Sequence, residues 1–251
     1  MKYYPLLILL ISGDIHNNPG THHPISIVHL NAKSIRNKLD LITAELGHHD
    51  IITLSETWLP PENELPSSEI MIDSFHRPIR RDRPGQAYGG VAIYVKETLV
   101  CKERPDLLVP GLEAVWVETK LGQDSLLIGS LYRPPDARVS YWNLVDESIK
   151  KANSTLSKVI VLGDFNSDFL KQTTHLSNLI TTNNLHQLVT EPTRITEDTS
   201  KCIDLILTQS IDIISKVCVL PPVCSDHSIT CVEVKNTIPK NSSFRRMIFD
   251  L

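Results

Sequence analysis

Apolar residues along this chain gather into short β-branched runs that end on polar side chains, with a few intervening stretches of helical period. Residues 25–30 form one such run and lead into Asn31. Ser34 is placed to cap a helix whose apolar face is Ile35, Leu39, Ile42 and Leu46. Residues 50–54 read as a second strand delivering Glu56, and residues 60–68, rich in Pro, Glu and Ser, read as a loop. A polar loop over 77–88 precedes Gly89-Gly90 and a strand over 91–95. Strands over 114–121 and 125–132 flank a tight turn at Gly122-Gln123.

Ser140 is placed to cap a second helix with the buried stripe Trp142, Val145 and Ile149. Residues 159–162 are wholly apolar, the pattern of a strand covered on both faces. A third helix is predicted around Leu176, Leu179 and Ile180, followed by strands over 203–207, 213–219 and 228–234. There is no internal repeat. The pattern predicts one α/β domain over residues 25–235, a two-sheet β-sandwich flanked by helices in four layers, α/β/β/α. Residues 1–24 form a leader, and residues 236–251 a polar, loose tail.

Composition changes this picture little. A chain of 251 residues with 41% apolar and 22% charged residues is ordinary for a globular protein. A net charge of −4 argues against a generally polycationic nucleic-acid binder, while a local basic patch remains able to dock on phosphates. The five cysteines are dispersed, with no C-x-x-C pair, and read as free thiols in a reducing compartment. Two glycosylation sequons, at Asn153 and Asn241, are read as chance matches.

In the leader, residues 6–11 form the one continuous apolar run, far short of the ~20 residues that span a bilayer. No small-residue cleavage site follows it, so a secretory signal is poorly supported. The stretch ending Gly13-Asp14-Ile15-His16-Asn17-Asn18-Pro19-Gly20 resembles ribosome-skipping peptides of the form D-[VI]-E-x-N-P-G-P. His16 replaces the Glu and Thr21 the final Pro, and skipping depends on an unmade Gly–Pro bond, so the signal is expected to be inactive.

The strand ends carry the chemistry. Leu30-Asn31-Ala32, Ser55-Glu56-Thr57-Trp58, Tyr132-Arg133-Pro134-Pro135, Gly163-Asp164-Phe165-Asn166, Cys202-Ile203-Asp204-Leu205 and Ser225-Asp226-His227 each lie at the end of an apolar run. Hard oxygen ligands with a His beside an Asp are what metal-assisted phosphodiester cleavage needs. Glu56, at the mouth of an apolar strand, suits Mg²⁺, with Mn²⁺ as a substitute; Asn31 can support the metal or bind phosphate without adding charge. Asp164 and Asn166 lie two apart and point to one side, an Asp to activate water beside an Asn to hold a phosphoryl oxygen. The Tyr132 hydroxyl and Arg133 are candidate phosphate contacts, and Thr193 offers a hydroxyl to DNA. Arg77, Arg80, Arg81 and Arg83 cluster in one loop that could clamp the backbone. A Ser225–Asp226–His227 hydrolase triad is excluded, because consecutive side chains cannot stack in the required chain and no G-x-S-x-G elbow exists.

These motifs, in this order, resemble the exonuclease–endonuclease–phosphatase superfamily of DNase I and the apurinic endonucleases, and most of all the endonuclease domain of non-LTR (LINE-type) retrotransposons. The resemblance covers about residues 25–235. It implies a DNase I-like fold, Glu56 as principal metal ligand, Asp204 paired with His227, and Asp226 near the metal or its water. It further implies a duplex DNA substrate nicked on one strand to leave 3′-hydroxyl and 5′-phosphate ends. An intact element would continue into a reverse transcriptase module, and such elements often carry a skipping peptide upstream. The expected state is a monomer without membrane attachment, intracellular and nuclear when acting on DNA.

Two other readings stand beside this one. A phosphoinositide phosphatase or sphingomyelinase of the same fold is opposed by Lys201-Cys202-Ile203-Asp204, where inositol phosphatases carry Trp-Cys-Asp-Arg. An inactive DNA-binding remnant is favoured by the eroded skipping peptide and opposed by the intact carboxylates, amides and His.

Overall fold

The computed structural model describes residues 23–85 and 88–236. The skipping-like peptide and the tail beyond residue 236 therefore lie outside the described residues. The first sheet contains β1 (Ile25–Asn31), β2 (Ile51–Ser55), β3 (Ile79–Arg81) and β4 (Val91–Val95). The second is built from β5 (Lys102–Glu103), β6 (Glu113–Leu121), β7 (Asp124–Tyr132), β8 (Val159–Asp164) and β9 (His186–Gln187). A small ribbon follows, β10 (Arg194–Ile195) with β11 (Ser200–Lys201). The chain then returns to both sheets through β12 (Asp204–Thr208), β13 (Ile214–Leu220) and β14 (Ile229–Val234).

The strand orders are β13-β14-β1-β2-β4-β3 and β5-β6-β7-β8-β12-β9. Each sheet has one parallel pair at its centre, β1–β2 and β7–β8. A parallel pair needs a crossover, and a helix supplies it in both cases: α1 (Leu39–Leu46) and α2 (Tyr141–Thr155). A third helix, α3 (Thr174–Thr182), follows β8. The result is the four-layer α/β/β/α arrangement that the hydrophobic pattern predicts.

Strand alternation assigns each face. Val28, Leu30, Ile52, Leu54 and Tyr94 turn outward beneath Ile42 and Leu46 of α1. On the second sheet Trp116 faces α2, its indole donating to Ser148 Oγ at 3.0 Å. Between the sheets the packing is apolar at one end, with Ile25, Ile27, Ile51 and Ile128 fully or almost fully buried. At the other end the same faces turn polar: His29 and Asn31 on β1, Thr53 and Ser55 on β2, Asp164 on β8 and Asp204 on β12, all buried.

Two glycines allow close approach there. A Cβ at Gly163 would lie 2.0 Å from the Leu131 carbonyl of the neighbouring parallel strand. At Gly90 (φ 85°) it would lie 2.5 Å from Thr57 Oγ1.

Ser34 does not cap α1. It adopts φ 77°, its backbone N–H donates to the Glu56 carbonyl, and the helix begins only at Leu39. The cause is that 33–37 is spent bonding the chain after β2, although Ile35 still joins the apolar face beneath the sheet. All five cysteines are free thiols. Among the described residues no helix is long and apolar enough to cross a membrane.

Candidate active site

Strand register lays out the polar end. On the second sheet Tyr132, Asp164 and Asp204 sit side by side across β7, β8 and β12. Opposite them, Asn31 and Ser55 are paired across β1 and β2, and Glu56 follows at once. Asn31 ties the two sheets together. Its Nδ2 donates to Glu56 Oε1 at 3.0 Å and to Asp164 Oδ2 at 2.8 Å, while its Oδ1 accepts from Lys33 N at 3.1 Å. The amide nitrogen, not the oxygen, therefore faces the carboxylates.

Asp164 accepts further bonds from Asn166, at 2.8 Å from the backbone N and 3.2 Å from Nδ2. Asn166 stands at φ 44° and also donates to the Arg133 carbonyl at 2.9 Å. Burial pushes the Asp164 carboxyl up and the charge of Asp204 adds to it, against His227 and the hydrogen bonds. Burial, followed by the charges of Glu56 and Asp164, raises the Tyr132 phenol, so it stays protonated.

His227 arrives from the loop before β14. Its Nδ1 lies 2.8 Å from Asp204 Oδ2 and 3.1 Å from Oδ1. Burial alone would lower this imidazole, but the bond to Asp204 and its charge outweigh burial and raise it above its ordinary value. Ser225 shapes the approach, donating to the Asn31 carbonyl at 2.6 Å and accepting from His227 N at 3.2 Å.

Thr193 is fully buried, and its hydroxyl donates to Asp204 Oδ2 at 2.7 Å while accepting from the backbone N–H groups of Ile203 and Asp204. It thus anchors Asp204 instead of facing solvent.

Asp226 is set apart from this group. Lys33 Nζ lies 2.5 Å from its Oδ1 and Arg194 Nε 2.8 Å from its Oδ2, with His227 Nε2 at 4.0 Å. Partial burial would raise its carboxyl, but the two cations outweigh that and hold it far below the usual range.

The arginines divide. Arg133 is buried, stacked 4.9 Å over Trp142 and bonded to the Pro134 and Ala137 carbonyls, so it braces its own loop. Arg77 pairs with Glu62, and Arg80 with Asp82 and the Leu65 and Pro60 carbonyls, tying down the 60–65 loop. Arg81 and Arg83 line the other side, a cleft shared with Pro134, Arg138 and Tyr141, where Arg83 is itself paired with Glu113 through Nε at 2.7 Å and Nη2 at 2.5 Å. Arg83 lies 5.7 Å over the Tyr132 ring.

His29 was not marked by any sequence motif. It is fully buried behind Asp204, with Nε2 at 3.8 Å from Asp204 Oδ1 and 3.4 Å from Ser55 Oγ. Thr53 donates its hydroxyl to the Val28 carbonyl, so His29 Nδ1–H must donate to Thr53, at 3.0 Å. Burial, helped by His227 and opposed by Asp204, lowers this imidazole to about 4 and keeps it neutral. Its only sequence signal is parity: His29 shares the inward phase of Ile25, Ile27 and Asn31.

The donor set fits a hard divalent cation. Asp164 and Asp204 are both buried, and ligand atoms of Asp164, Asp204 and His227 lie within 4.8 Å of one another. Glu56 stands beside them, and a cation would relieve the charge crowding that burial imposes on Asp164.

A family profile described as "Endonuclease/Exonuclease/phosphatase family" matches residues 28–227. No curated protein sequence matches the chain. Among solved structures, the endonuclease domain of TRAS1, a telomere-specific non-LTR retrotransposon, superposes with a TM-score of 0.66 at 18% identity, covering 84% of this chain and 99% of that domain. The 3′ phosphatase NExo from Neisseria, bound to a product DNA hairpin, does so with a TM-score of 0.64 at 16% identity, covering 84% of this chain and 99% of its own. The catalytic domain of Xenopus laevis APE2 gives a TM-score of 0.66 at 16% identity, with 86% and 94% covered. These likenesses show the DNase I-like two-sheet fold.

Proposed function

The chain belongs to the endonuclease/exonuclease/phosphatase family, and we propose that it is a divalent-metal-dependent DNA endonuclease that nicks one strand of a duplex, leaving 3′-hydroxyl and 5′-phosphate ends. The observation that carries this reading is the meeting of Glu56, Asp164 and the Asp204–His227 pair at one end of the sandwich, linked across the sheets by Asn31.

Each residue has a part that its surroundings favour. Glu56 would hold the cation, Mg²⁺ or Mn²⁺, with Asn31 fixing its carboxylate relative to Asp164. The cation would stabilise charge developing on the phosphate and the leaving oxygen. Asp164, whose burial raises its proton affinity, orients and deprotonates the attacking water. His227, its Nδ1 turned to Asp204, keeps Nε2–H for a phosphate oxygen. Asn166 and Tyr132 offer neutral donors to the remaining oxygens. Asp226, neutralised by Lys33 and Arg194, serves as a counter-charge beside His227.

Nucleic acid is the substrate favoured by the architecture's neighbours, and Arg81 and Arg83 border the site as candidate backbone contacts. The degenerate skipping peptide and the TRAS1 likeness favour a retrotransposon origin. With that origin we further propose a reverse transcriptase module as partner in an intact element, a monomeric domain and action in the nucleus.

The test is incubation with supercoiled plasmid and Mg²⁺, followed by end-group analysis, beside parallel incubations with phosphoinositide and sphingomyelin. Relaxed circles with 3′-hydroxyl ends, lost in Glu56→Ala and His227→Ala, are expected. Phosphate or phosphocholine release without nicking would assign the chain to the phosphoesterase branch instead. Background-level nicking by native and variant chains alike would leave a DNA-binding remnant.

A further inference from the structure

The Ser55-Glu56-Thr57-Trp58 segment contributes a second side chain to the site. We infer that Trp58 is a positioning residue for the metal, its indole N–H locking the Glu56 carboxylate in the orientation that receives a divalent cation. The inference rests on the proposal that Glu56 is the metal ligand.

Trp58 Nε1 donates to Glu56 Oε2 at 3.0 Å, while Asn31 Nδ2 donates to Oε1 at 3.0 Å. Both carboxylate oxygens are therefore held, one from each side. Asn31 and Trp58 are both neutral donors. They fix the direction of the carboxylate but leave its full negative charge for a cation. Asp226 shows the contrast, because its partners Lys33 and Arg194 already cancel its charge. A Lys or Arg in place of Trp58 would compete with the metal; an indole does not.

The backbone is shaped to make this bond. Glu56 and Trp58 both adopt left-handed φ, 51° and 54°, a conformation that is strained for non-glycine residues and persists only when its surroundings impose it. They do so here. Thr57 N and Trp58 N donate to the Gly90 and Gly89 carbonyls at 3.3 and 2.9 Å, and Ser34 N and Ile35 N donate to the Glu56 and Thr57 carbonyls at 2.8 and 3.1 Å.

Trp58 is also not a core residue. It is half-buried and belongs to neither apolar cluster. Its ring is met edge-on by Tyr88, with centroids 4.9 Å apart at 89°, and Tyr88 is itself 60% exposed. Tyr88 thus buttresses the indole from the solvent side.

Trp58→Phe keeps an aromatic ring beside Tyr88 and deletes the N–H together with the five-membered part of the indole. Mn²⁺ affinity, measured calorimetrically on the full chain, is expected to fall about 10- to 100-fold, the usual cost of losing an outer hydrogen bond to a metal ligand. The Mg²⁺ concentration for half-maximal nicking should rise in parallel, with the loss recovered at high Mg²⁺. In the native chain Mn²⁺ should quench the Trp58 emission over the concentration range in which it binds. Native-like Mn²⁺ affinity in Trp58→Phe, with binding abolished in Glu56→Gln, would overturn the role of Trp58 alone. Equal Mn²⁺ uptake by native and Glu56→Gln chains would overturn both it and the metal role of Glu56.

Discussion

At the scale of single residues, the site is a set of acids distinguished by their partners. Asp204 accepts from His227 and Thr193, Asp164 from two amides, and Asp226 from two cations. Asp204 raises the His227 imidazole, so the protonated form persists above its ordinary range. The stabilisation from that pair is complete below the unfolded value of about 6.5 and fades as pH rises through the raised folded value. Asp204→Asn should therefore move the alkaline limb of the pH–rate profile to lower pH and reduce nicking by about 100-fold or more. A variant retaining the native alkaline limb would separate His227 from Asp204. Thr193→Val is isosteric but removes the acceptor of two buried N–H groups and one of the two donors to Asp204 Oδ2; we expect about 1–3 kcal/mol less stability in urea titrations. Its hydroxyl was legible in the sequence as a polar group near the site, yet its inward direction was not. Arg133 is a similar case, because a cation beside a catalytic strand end looks like a phosphate ligand until Trp142 is found beneath it.

At the scale of elements, the longer strands lie within a residue of the ranges their hydrophobic pattern predicts, except β8, which runs two residues further, through Gly163 to Asp164; four or more apolar or alternating positions are enough to define a strand. The two- and three-residue strands β3, β5, β9, β10 and β11 were illegible for the converse reason: a period cannot be read from so few positions. β3 matters most, because pairing with β4 sends the adjacent Arg80 and Arg81 to opposite faces. Arg77→Ala should leave DNA affinity and its salt dependence unchanged. Arg81→Ala should lower the slope of log affinity against log salt by about one unit. Equal effects of the two would show that the division is irrelevant to binding. The parallel β7–β8 pair is equally demanding, since Gly163→Ala would drive a Cβ into the Leu131 carbonyl. A loss of about 1–3 kcal/mol is expected in chemical denaturation, with reduced nicking because Tyr132 and Asp164 shift together.

At the scale of the whole molecule, the space between the sheets is graded, from an apolar end to a buried polar seam in which His29 backs Asp204. A neutral His lowered to about 4 stabilises the fold above 6.5, and that stability is lost as pH falls toward 4, by up to about 3 kcal/mol. Asp164 acts in the opposite sense, since its raised carboxyl is relieved by protonation as pH falls. His29→Gln isolates the first effect: its urea midpoint should decline less between pH 7 and pH 4 than the native midpoint. Parallel curves would show that His29 is not the group titrating.

Strand and helix order, the sandwich class and the motif set at the strand ends were all determined by local pattern, because alternation and helical period are written in neighbouring residues. Tertiary structure alone decided which polar groups meet. The Asn31–Glu56–Asp164 bridge spans 133 positions of chain, and the pairing of Asp226 with Lys33 joins a loop after β1 to one before β14. Contacts at such separations depend on how two sheets stack and register, and no periodicity in the chain encodes that.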